Sequence, residues 1–189
     1  MSQTKEIKFT PRKFEDLSSL KYSLCTCPLI TWPNMDGMKC LVVEFSGECG
    51  QGTKNSGSGY EAFMSAIIKA AVEAWKPVAL ILDLRRLKYE WGDEMSQPFN
   101  ACDSFQPGPL SLRSIFKVYP DLVESELSKM TKESLAFPLA VVVSEINRTG
   151  LTSLVRQELS KDPNDLLFEN LEDALTAVDR QAQRIFKKP

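Results

Sequence analysis

Three carboxylates fall within five residues in Glu90-Trp91-Gly92-Asp93-Glu94, and Asp83 stands just upstream at the end of an apolar run. Grouped carboxylates can trade protons with a substrate or hold Mg²⁺. Nothing basic or nucleophilic is set beside them by spacing. A second stretch, GECGQGTKNSGSGY from Gly47 to Tyr60, holds five of the nine glycines. It lies between an apolar run and an amphipathic segment, the order in which a phosphate cradle is built. Its spacing departs from that of a nucleotide loop. Thr53 and Lys54 stand in reversed order, Asn55 occupies the place of a following hydroxyl, and the helix is predicted to begin only near Ser58 or Gly59. Gly50 and Gly52 lack the third glycine of a dinucleotide fingerprint. A surface loop is the expected role.

Other chemistries are limited by what the chain contains. It has no histidine, so no Ser-His-Asp or Cys-His arrangement can form. Its five cysteines, Cys25, Cys27, Cys40, Cys49 and Cys102, are irregularly spaced and are expected as reduced, partly buried thiols. No metal or cofactor is implied. The net charge is −2, with 23 basic and 25 acidic residues and no basic block, which argues against nucleic acid as a partner. There is no apolar span of the length a membrane helix needs, about 20 residues, and no leader-like segment. A cytoplasmic setting without a membrane partner is expected.

The elements that must position these residues follow from periodicity. Short strands are predicted at 5–9 and 22–30, and a clear one at 41–45. Tyr60, Phe63, Met64, Ile67, Ile68, Ala71, Val72 and Trp75 recur at helical spacing, and Pro77 stops the helix. Residues 78–82 and 139–143 are continuous apolar runs, as in strands buried on both faces. A short helix opens at Ser96, a modest one follows over about 120–132, and Pro107-Gly108-Pro109 marks a loop. A helix is read over 151–159, a strand at 166–168, and a last amphipathic helix capped by Asn170. The whole chain, 1–189, is expected to be one α/β domain. It has N-terminal strands or an extension over 1–38 and an insertion carrying its own helices over 96–137. Strand–helix alternation predicts a mainly parallel sheet of about four to six strands. The loops after 45, 82 and 143 then gather at the strands' carboxyl edge, where ligands of open α/β sheets bind.

Two segments carry a family resemblance. VVEFSGEC, a helix, then VALILDLRRLKYEWGDEM resembles the STAS domain of anti-sigma-factor antagonists. In that family a strand ending in Ser-Gly-Glu leads to a helix, and a strand ending in Leu-Asp-Leu leads to a phosphorylation loop, Asp-Ser-Ser-Gly. LAVVVSE, a helix and DLLFENLEDALTAV resemble its closing strand, helix, strand and helix. The likeness spans roughly 39–95 and 138–180. It implies a STAS-like topology and a regulatory, non-catalytic domain that binds a protein. Glu90-Trp91-Gly92 stands where the phosphoacceptor serine would be, so no serine switch is implied there. A rival likeness is to the crotonase and ClpP-like fold, through Gly92-Asp93 after a helix and a strand. It implies an acyl-CoA enzyme, yet SEINRTG offers only Gly150 for an oxyanion loop.

The expected partner- or ligand-binding set is therefore Gly50, Gly52, Lys54, Tyr89, Glu90, Trp91, Gly92, Asp93 and Glu94, with Tyr89 and Trp91 as aromatic anchors and no catalytic residue. An enzyme using Asp83, Glu90, Asp93 or Glu94, or a small-molecule binder, is the alternative. The oligomeric state is left open by the sequence.

Overall fold

A computed structural model describes residues 19–34, 38–51, 59–91, 95–105, 137–159 and 161–186. The strand and helix predicted over 5–9 and 120–132, and most of the predicted insertion, lie outside those residues. Among the described residues there are five strands: β1 (Lys21–Pro28), β2 (Lys39–Gln51), β3 (Ala79–Trp91), β4 (Leu139–Val142) and β5 (Leu167–Phe168). They make one sheet in the order β1-β2-β3-β4-β5. β1 pairs antiparallel with β2, and every later pairing is parallel. The helices are α1 (Tyr60–Trp75), α2 (Ser96–Asp103), α3 (Glu145–Glu158), the single turn α4 (Pro163–Leu166) and α5 (Leu171–Phe186). This is the α/β fold, mainly parallel, that the alternation predicted. Its order of elements is the one the STAS resemblance implied.

Each strand lies beside its predecessor, so the crossovers wind in one direction. Right-handed connections then put their helices on one face. Phe63, Met64, Ile67, Ile68 and Ala71 of α1, Phe99 and Cys102 of α2, and Leu151, Leu154 and Val155 of α3 share a core with Leu41, Val43, Leu80, Leu82 and Val141. The other face is covered by α5. Ala174, Val178 and Ala182 pack there on Cys40, Val42, Ala79, Ile81, Ala140 and Val142. Alternate residues of each strand serve the two cores, which is why the runs are apolar throughout. Each large aliphatic side chain buried this way is worth about 1.5–3 kcal/mol.

Several boundaries differ from the sequence reading. β2 runs to Gln51 and β3 to Trp91, well beyond 45 and 82. α3 begins at Glu145, not at Leu151. Pro163 opens α4, with Asp162 as its cap, and does not end the preceding helix. Trp75, at the end of the α1 stripe, is 55% exposed. Lys76 closes that helix in the left-handed region at φ 45°, with its N–H on the Val72 carbonyl at 2.8 Å. Asn170 does cap α5, its Oδ1 accepting from the Asp173 N–H at 2.8 Å.

α5 also holds the turn between β1 and β2. Asp179 accepts from the Thr31 N–H at 2.9 Å and from the Thr31 hydroxyl at 2.7 Å, and Gln183 donates to Asp179 at 2.7 Å. Burial opposes ionisation of Asp179, but these bonds outweigh it and hold its pKa below the ordinary 3.8. A depressed carboxylate contributes stability above its unfolded pKa and loses it as pH falls through the folded value. Asp179→Ala is expected to cost about 1–3 kcal/mol at neutral pH. In urea titrations the gap between wild type and variant should narrow once pH falls below 3.8. A gap that stays constant to the acid limit would contradict this role.

Candidate functional site

The segments GECGQ and LKYEW, both read as loops from sequence, are paired strand. Gly47 lies beside Leu87, Glu48 beside Lys88, Cys49 beside Tyr89 and Gln51 beside Trp91. The pairing is reached through a change of register. Glu44 partners Asp83 and Ser46 partners Arg86, so β3 holds one more residue than β2 in that interval. The bulge at Leu84 and Arg85 rephases the strand. Leu80, Leu82 and Leu84 face the helical core before it, and Leu87 and Tyr89 face it afterwards. Without the extra residue Arg86 and Lys88 would point into that core.

The bulge is held by Asp83. Its carboxylate accepts from the Arg85 backbone N–H at 3.2 Å, from Nε at 2.9 Å and from Nη2 at 2.6 Å. The hydrogen bond to Asp83 raises the Arg85 pKa further. Asp83 is 5% exposed and its oxygens are already engaged. Its carboxylate has a structural role, holding the Arg85 side chain and backbone at the bulge.

β3 continues past the last pair with β4, Asp83 with Val142, and among the described residues no strand pairs with that edge beyond it. Asn147 supplies the missing bonds. It is fully buried, and its Nδ2 donates to the Leu84 carbonyl at 2.6 Å and the Leu87 carbonyl at 3.1 Å. Its Oδ1 accepts from the Ser144 N–H at 2.9 Å. Both donors of the amide are used. The α3 N-terminus is thereby fastened to the carboxyl half of β3. The helix predicted over 151–159 left Asn147 outside it, and the structure puts it inside α3, which starts at Glu145. The signal that could have found it is Ser144, a helix-capping residue type just before Glu145.

On the face away from α1 the extension is a charged ladder. Arg86 meets Glu44 at 3.3 Å, Lys88 meets Glu48 at 2.6 Å, and Ser23 of β1 donates to Glu44 at 3.4 Å. The Lys88–Glu48 hydrogen bond lowers the Glu48 pKa and raises that of Lys88. Such exposed pairs add little stability.

The expected binding residues divide as follows. Gly50, Glu90 and Trp91 lie on the ends of β2 and β3, described as backbone only. Gly52, Lys54, Gly92, Asp93 and Glu94 lie outside the described residues. Tyr89 needs correction. It is 1% exposed, because the bulge turns it into the helical core, so its ring packs and cannot anchor a partner. Gly47 is a strand residue at φ 121°, and a Cβ there would lie 3.1 Å from Leu20 Cδ2. Its glycine serves this close approach, not a phosphate. Strand order also bears on ligand binding. Crevices at the carboxyl edge arise where the order reverses, and the described strands show no reversal. The edge does carry Ile146, 64% exposed on the first turn of α3.

No protein-family model matches the chain, and no curated protein matches it. A solved structure similar to it is the crystal structure of an anti-sigma factor antagonist from Mycobacterium paratuberculosis. That structure is 22% identical, with a TM-score of 0.38, over 82% of this chain and 94% of that one. Among the described residues no helix is long and apolar enough to cross a membrane, and no group of three His, Cys, Asp or Glu is arranged to hold a metal ion.

Asn147→Ala should leave the Leu84 and Leu87 carbonyls unsatisfied, at about 1–3 kcal/mol in urea unfolding. Asn147→Asp should cost more at neutral pH, because a carboxylate would face two carbonyl oxygens. Hydrogen exchange should quicken across 84–91 in both variants. Equal stability of the alanine and aspartate variants would sink the assignment.

Proposed function

We propose that the chain is a non-catalytic, STAS-like regulatory domain that binds a protein partner through the carboxyl edge of its sheet. The observation that supports this is the Asn147 clasp, which joins the α3 N-terminus to the Leu84 and Leu87 carbonyls of β3. It ties the start of α3 to β3, whose extension is itself paired with β2. An edge held in place before binding favours recognition, because little ordering entropy is lost. Ile146 is the exposed apolar side chain on that edge, and Glu90 and Trp91 end the neighbouring strand. The Asp83 carboxylate bonds Arg85 and holds the bulge. The partner is read as a protein in a cytoplasmic setting, and nucleic acid is disfavoured by the charge balance.

The test uses the full chain immobilised in a native lysate, with bound proteins quantified. Ile146→Asp and Trp91→Ala are expected to reduce a retained partner about tenfold or more. Trp75→Ala, on the end of α1, should leave it unchanged. Circular dichroism should show each variant folded. If Ile146→Asp and Trp91→Ala retain the same proteins in the same amounts, the edge is not the binding surface.

A further inference from the structure

β1 and β2 set two thiols directly against each other. In the antiparallel register Cys27 of β1 is the partner of Cys40 of β2. Residues opposed in this way point to the same face with α-carbons about 4.5–5.5 Å apart. That separation lies within the range a disulfide spans. Both side chains pack with the cluster beneath α5, but their access differs. Cys40 is fully buried, and Cys27 is half-buried at its margin.

The neighbouring thiols are less well placed. Cys25 is exposed and stands two residues before Cys27 on the same strand. That is about 6.6 Å along the chain, near the upper limit for a disulfide. Cys49 and Cys102 belong to the core on the other side of the sheet. Ionisation separates the three further. The Cys40 sulfur opposite it brings Cys27 down to about 7, and the same pairing, with burial, drives Cys40 well up, the Cys40 thiol lying 3.7 Å from the Leu41 carbonyl. Burial and then the charge of Cys27 raise Cys25. Cys27 alone among the three combines access with thiolate character, the pairing that makes a cysteine reactive.

We propose that Cys27 and Cys40 form a reversible oxidation site, in which a hydroperoxide oxidises Cys27 and Cys40 closes a cross-strand disulfide. The Cys27 thiolate attacks the terminal peroxide oxygen. An S–O bond forms, the O–O bond breaks, and the departing oxygen takes a proton to leave as water or an alcohol. The Cys27 sulfenic acid is then attacked by the Cys40 sulfur. The S–O bond breaks, and hydroxide leaves with the Cys40 proton as water. Two thiols give up two electrons and the peroxide accepts them. A small thiol such as glutathione reverses the step through a mixed disulfide. The adjacent Cys40 removes the sulfenic acid before a second peroxide can carry it to sulfinic acid. A disulfide of this kind suits a reducing compartment, where such bonds are transient and responsive.

The test treats the reduced full chain with hydrogen peroxide, blocks remaining thiols and digests without reductant. Trypsin cleaves after Lys39 and so separates Cys25 and Cys27 from Cys40. The expected product is a peptide pair whose fragments place the bond between Cys27 and Cys40, lost on adding dithiothreitol. In the untreated chain, iodoacetamide should modify Cys27 about fivefold faster than Cys25 at neutral pH. Cys25→Ser should still form the bond, and Cys40→Ser should leave a sulfenic acid on Cys27 that dimedone traps. If Cys40→Ser does not fold, the wild-type peptide map decides by itself. A bond between Cys25 and Cys27, or a Cys27 no more reactive than Cys25, overturns the proposal.

Discussion

The carboxyl half of β3 depends on one constraint, that a strand must not leave its backbone groups bare where water is excluded. β4 stops at Val142, opposite Asp83, and β3 goes on to Trp91. On one side the extension is paired by β2. On the other a buried amide, Asn147, reaches from α3 to the carbonyls of Leu84 and Leu87. Those two carbonyls bracket the bulge residue Arg85, whose own N–H is taken by Asp83. Bulge, strand extension and helix N-terminus are thus one bonded unit. The position of Tyr89, the charged ladder and the exposed Ile146 all follow from it.

Much of the fold was legible because its signals are local. The α1 stripe, the stop at Pro77, the buried runs at 78–82 and 139–143, and the Asn170 cap each depend on residues within a few positions. The extensions of β2 and β3 were not read, and the reason is physical. LRRLKYEW has no steady alternation, because Leu84 and Leu87 are three apart. A bulge between two phases of alternation produces this pattern, with Leu80, Leu82 and Leu84 in one phase and Leu87 and Tyr89 in the next. Charge in the middle of the run, from Arg85, Arg86 and Lys88, made it look like a loop. Those charges lie on the face that α1 does not cover, where Glu44 and Glu48 meet Arg86 and Lys88.

The candidate site was less legible. The juxtaposition of GECGQ with KYEW follows from parallel pairing and was expected. The roles of individual side chains were not, since burial of Tyr89 and capture of Asp83 depend on a register shift that no local window contains. Asn147 shows the same limit from the other direction. It lies 60 residues or more from the carbonyls it binds, and an asparagine before Arg148 and Thr149 reads as an ordinary turn residue.

The sequential strand order also has a meaning for the growing chain. A sheet laid down strand by strand can assemble as it is synthesised, since each new strand finds its neighbour already made. The face lined by α1, α2 and α3 is completed progressively in the same way. The opposite face waits for α5, which follows every strand of the sheet and brings Ala174, Val178 and Ala182 onto Cys40, Val42, Ile81 and Val142. A pause in synthesis before α5 therefore leaves one side of an otherwise formed sheet less covered and open to chaperones.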